Sequence, residues 1–136
     1  MDLPIKKVLT LEAAQRIAQA ARKEAHKNGW KMVICIVDDG GHPIYLERMD
    51  GAQLASVRVA QDKARTAVLF KRPSKALEEA VAGGRTVIMK LAGAIPVEGG
   101  VPIIAGSDLI GAIGVSGASS AQDGQAAAAG LAALNA

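Results

Sequence analysis

Aromatic side chains are almost missing from this chain: one Trp, one Tyr and one Phe in 136 residues. Half of the residues are nonetheless hydrophobic. The core must therefore be built from Val, Ile, Leu, Ala and Gly, which pack backbones closely and offer few rings to stack on a base. Cysteine is present once, as Cys35 inside the apolar run MVICIV, so no disulfide can form within the chain and the thiol reads as a small buried hydrophobe. Histidine occurs twice, as His26 and His42, and no C-x-x-C, H-x-H or H-x-x-x-H spacing exists, which leaves metal chemistry without a motif. No apolar run approaches the ~18 residues of a membrane span. The opening MDLPIKKV has no h-region of a secretory signal. Net charge is +3 but the cations are scattered, the one small cluster being Phe70-Lys71-Arg72. Without a basic stripe or aromatic platform, nucleic-acid binding is set aside. The expectation is one cytoplasmic domain spanning 1–136 that contacts neither membrane nor nucleic acid.

What is present is orderly. Thr10 reads as the N-cap of a first helix, with Glu12 in its first turn. Leu11, Ala14, Ala18, Ala21 and Ala25 form its apolar stripe, Asn28-Gly29 ends it, and His26 lies off the stripe. Lys31 to Val37 is a strand, Asp38-Asp39-Gly40-Gly41 a turn, and Pro43 to Met49 the returning strand of a hairpin. A long helix is expected over Ala52 to Phe70. Its core face is Leu54, Val57, Ala60, Ala64, Ala67 and Val68, and Arg58, Asp62 and Arg65 face water. Lys63 falls between these faces, where it either reaches over a pocket or snorkels past apolar neighbours. A shorter helix covers Lys75 to Ala82. Arg85 to Val101 has no clear period. Strands follow at Val101 to Ala105 and at Asp108 to Ser116, the latter apolar on both faces and hence central. Gly111, Gly114 and Gly117 mark places where a backbone or a ligand comes close. Ser119 or Ser120 caps the last helix, with Asp123 in its first turn.

Most catalytic motifs fail. Gly114-Val-Ser-Gly117 is not G-x-S-x-G, and neither histidine has an evident acid partner, so a serine hydrolase is rejected. There is no P-loop, and G-x-x-G-x-x-G is not a dinucleotide fingerprint. A softer feature survives. The junction Ser116-Gly117-Ala118-Ser119-Ser120 presents backbone N–H groups at a helix start, which attract carboxylates or phosphates. Gly99-Gly100-Val101-Pro102 could form the opposing wall, and Arg48 and Lys63 are the cations best able to complete an anion site; a plain capped helix with a rim salt bridge is the simpler alternative.

The succession VDDGGHPIYLERMDGA, VAQDKARTA, EGGVPI, LIGAIGVSGASSAQD, in that order, resembles the GlcG/HbpS-like family, which includes the C-terminal domain of PduO-type proteins. The match runs from about Val33 to Leu131. The resemblance implies an α+β fold like PAS or profilin domains, an antiparallel sheet of about five strands flanked by helices, and homo-oligomers of two or more copies. It implies three alternatives for function. The first is a small-ligand binder taking haem or a related tetrapyrrole, with His26 or His42 as axial ligand; the E-x-x-E iron motif of some haem-binding members is absent. The second is an enzyme on a small carboxylate, such as an aminomuconate-type deaminase. There Arg48, Lys63, Gly100, Pro102, Gly114, Ser116 and Ser119 would bind ligand, and Lys63 with Asp50 or Asp123 would move protons. The third is an accessory oligomer without catalysis. The family pattern also places an acidic residue where this chain has Gly124, which loosens the start of the last helix.

Overall fold

Four strands form one antiparallel sheet in the order β2-β1-β4-β3, in a computed structural model that describes residues 1–135. The elements are α1 (Leu11–Lys27), β1 (Val33–Asp38), β2 (Pro43–Arg48), α2 (Ser56–Leu69), α3 (Ser74–Ala82), β3 (Gly100–Ala105), β4 (Asp108–Ser116) and α4 (Ser120–Ala132), with short 3₁₀ turns at Thr86–Lys90 and Ala133–Asn135. The class is α+β, as expected, but the sheet has four strands among the described residues rather than about five. The unclear stretch between α3 and β3 supplies a 3₁₀ turn and loop, and no strand.

Alternation along the two central strands divides the core into two layers. Ile34, Ile36, Ile113 and Val115 face one way and pack with Ala14, Ile17, Ala18, Ala21, Ala126 and Ala127 of α1 and α4. Val33, Cys35, Val37 and Ala112 face the other way and pack with Ala60, Ala64 and Ala67 of α2. Small residues on the helices let them lie close to the sheet. At Gly114 the approach is closest, since a Cβ there would overlap the Ala60 carbonyl oxygen; at Gly100 one would overlap the Lys63 carbonyl oxygen. Both glycines therefore make room for a helix backbone.

Local chemistry sets the ends of the elements. Thr10 caps α1, its Oγ1 accepting from the Ala13 N–H at 3.1 Å. Ser119, rather than Ser120, caps α4 in a reciprocal box with Gln122. Asp38 Oδ1 accepts from the N–H groups of Gly40 and His42, both at 2.9 Å, and so folds the hairpin turn. Two apolar assignments differ from expectation. Leu11 is 52% exposed and Leu54 is 72% exposed. Leu54 lies in the turn that precedes α2, because the helix starts at Ser56 and not at Ala52.

Candidate functional site

The anion site expected at the start of α4 is filled by the chain itself. Lys63 Nζ lies 2.9 Å from Asp123 Oδ2 and also donates to the Val115 carbonyl at 3.0 Å. The other oxygen, Asp123 Oδ1, accepts from the Ala118 N–H at 2.9 Å. Both side chains are almost fully buried, with 2% and 3% of their surface exposed. Burial pushes the Asp123 carboxyl above the ordinary range, against the opposing pull of Lys63 and of the Ala118 and Gly117 amides. Lys63 thus neither reaches over an open pocket nor snorkels to water. It is an internal strut from α2 to β4 and α4.

The remaining expected site residues are dispersed. Ser116 Oγ donates to Ser56 Oγ at 3.0 Å in the interior. Gly114 and Gly100 lie against α2, Pro102 sits on the edge strand β3, and Ser119 is occupied as a cap. Arg48 and Asp50 are exposed at the far end of β2. His42 is exposed in the hairpin and His26 in the last turn of α1. The structure therefore brings together Lys63 and Asp123, while Arg48 and Asp50 belong to a different place.

That place is a cleft of about 600 Å³ between the end of α1 and the edge strand β2. Arg22 and His26 enter from α1, one turn apart, and Glu47, Arg48, Met49 and Asp50 enter from β2 and the turn after it. Gly29, in the left-handed region at φ 73°, turns the chain so that Trp30 and Lys31 complete the wall. Arg22 Nη1 donates to Glu47 Oε2 at 3.2 Å. The cleft thus combines an imidazole, an indole, a thioether and three cations with two carboxylates, Asp50 and Glu47, the latter partly neutralised by Arg22. Such a mixture of apolar surface and a few charged groups suits a flat, carboxylate-bearing ligand. Arg22, Trp30, Lys31, Glu47 and Met49 were not singled out from the sequence. The i,i+4 spacing of Arg22 and His26, and the alternation of Glu47 with Met49, were the signals that could have found them. A second cleft, of about 450 Å³, lies between α2 and the hairpin, lined by Arg58, Gln61, Asp62 and Arg65 with Gly41 and Ile95.

Comparison with known proteins places the chain. Residues 9–132 match the family model described as Haem degrading protein HbpS-like. The chain belongs to the HbpS-like family. GlcG of Escherichia coli K12 is 43% identical over 107 residues, covering 79% of this chain and 80% of GlcG. A double mutant of Streptomyces reticuli HbpS superposes with TM-score 0.87 at 36% identity, over 96% of this chain and 89% of that one. The crystal structure of a PduOC–haem complex does so with TM-score 0.85 at 29% identity, over 93% of this chain and 95% of that one.

Proposed function

We propose that this HbpS-like chain is a small-ligand-binding protein whose ligand is haem or a related tetrapyrrole, held in the cleft between α1 and β2. The observation that carries the reading is His26 standing exposed in that cleft beside Trp30, Met49 and the cations Arg22, Lys31 and Arg48. The donor set fits the group. An imidazole is a common iron ligand, the indole and thioether offer apolar contact to a macrocycle, and the cations match its carboxylates. Haem, when bound, would supply iron-centred redox chemistry; the chain's part is to hold the macrocycle, neutralise its carboxylates and set the orientation of His26. His42, at the hairpin, lines neither of the two clefts described above. The naming of one structural relative as a haem complex supports the same reading.

Assembly into homo-oligomers is part of the proposal, supported by Val87, Met89 and Leu91, which expose apolar side chains around one 3₁₀ turn. The enzyme reading draws less support. Lys63 and Asp123 line neither of the two clefts, and Gly99 and Gly100 beside them are closed by Lys63 and Val115 themselves. The test is a hemin titration of the purified protein and of His26→Ala and His42→Ala. The expected result is a Soret shift that His42→Ala keeps and His26→Ala loses. A shift that persists unchanged in His26→Ala would refute this placement of the ligand.

A further inference from the structure

Glu47 Oε1 is a buried side-chain oxygen with no hydrogen-bond partner, and no other such atom occurs among the described residues. Unpartnered buried carboxylate oxygens are rare, because a charge removed from water without compensation is destabilising. Glu47, which carries this one, lines the α1–β2 cleft. Its sister oxygen is fixed by Arg22, which sets the carboxylate's orientation. The side chain of Glu47 is 13% exposed whereas that of Arg22 is 48% exposed, so the acid is the embedded member of the pair.

His26 lies four residues after Arg22 on the same helix, hence on the same face and one turn further along. An imidazole that binds iron through one nitrogen carries a proton on the other, and that N–H needs an acceptor to fix the ring's tautomer and direction. We infer that Glu47 is the positioning residue for His26: Arg22 clamps one carboxylate oxygen, and the other is held ready to accept the second ring N–H of His26 when a metal-centred ligand occupies the cleft. The inference rests on the reading of this cleft as a tetrapyrrole site. It assigns to Glu47 a role exerted through His26, without contact to the iron.

The test uses the unaltered protein, Glu47→Gln and Glu47→Leu. Gln keeps an acceptor without the charge, and Leu removes both. Each is titrated with hemin, and the ferrous complexes are examined by resonance Raman for the iron–imidazole stretch. Expected is a graded effect. Affinity falls, by about 10- to 100-fold in Glu47→Leu, and the stretch moves to lower frequency from the unaltered protein to Gln to Leu. Thermal melts establish that the variants are folded, and Glu47→Gln keeps the test alive should Glu47→Leu not fold. A fall in affinity with an unmoved stretch would mean that Glu47 serves only the shape of the cleft, and would overturn the inference while leaving the proposed function intact. Absence of a Soret shift in the unaltered protein would remove both.

Discussion

Lys63 and Asp123, sixty positions apart in the chain, meet at 2.9 Å inside the protein and tie α2 to the first turn of α4. Removing one partner leaves the other charged and buried. Lys63→Met is expected to cost about 3–5 kcal/mol of stability. In Lys63→Met with Asp123→Asn the loss should be smaller than the sum of the two single losses, because no charge is then left buried without its partner. A double-mutant cycle by urea unfolding reads this coupling, and simple additivity would contradict it.

The thiol of Cys35 gives a pH dependence with a defined sign. Burial pushes it from its ordinary 9.0 up to about 12. Between those values the unfolded chain has lost the thiol proton and the folded chain retains it, so the folded state binds more protons. The stability owed to this group is complete below pH 9 and declines by up to ~1.4 kcal/mol per pH unit as pH rises toward 12. Urea unfolding between pH 8 and 10.5 should show that decline, and Cys35→Ala should flatten it. In the native protein the thiol should also resist alkylation at pH 8, where an exposed thiol would react.

Gly114 and Gly93 should respond very differently to alanine. At Gly114 the added methyl would overlap the Ala60 carbonyl and lie 2.9 Å from Ala64 Cβ, so α2 must move off the sheet. A loss of about 3 kcal/mol or more is expected. Gly93 has open space around it and only a left-handed backbone, φ 74°, to strain. Its cost should stay near 1–2 kcal/mol. Thermal melts of the two variants would decide, and equal losses would argue against close packing at Gly114.

Gly124 offers the opposite sign. The space a side chain would take there is occupied by the Glu98 carboxylate, with Glu98 Cγ 3.0 Å from the added carbon. Because the obstacle is the end of a flexible side chain, Gly124→Ala should be tolerated. Improved helix propensity in α4 should then raise stability by about 0.5–1 kcal/mol. Gly124→Glu would set two carboxylates against each other and should be destabilising at pH 7 and less so in acid. A stabilised Gly124→Glu would show that Glu98 does not hold this position.

Much of this was legible in the residues, and the failures have physical causes. The hairpin was readable because Asp38 and the glycines after it have few other uses. Strand β4 was readable from its unbroken apolar run, and its bounds coincide with the expected Asp108 to Ser116. Leu54 misled because a helical wheel says nothing about where the helix begins, and here a turn runs as far as Ala55. Gly111, Gly114 and Gly117 were correctly marked as points of close approach, but sequence cannot say whether a ligand or the chain's own backbone arrives. The pairing of Lys63 was half in reach. The resemblance set Asp50 or Asp123 beside it as a proton-moving group, but only the packing of α4 turns Asp123 inward as its buried ion partner. Of the α1–β2 cleft, His26, Arg48 and Asp50 were named, but not as neighbours; Arg22, Trp30 and Glu47 are individually ordinary, and only the fold sets them beside those three.

Strand β2 pairs on one side only, with β1, while β1 and β4 are held on both. The wall that carries Glu47 and Met49 is therefore an edge, fastened along one seam like a page in a binding, as β3 is at the opposite side of the sheet. A ligand seated there would brace this strand against the sheet, and the amide proton of Met49, which donates to the Met32 carbonyl, would exchange with solvent more slowly once it arrived, without any rearrangement of the middle strands.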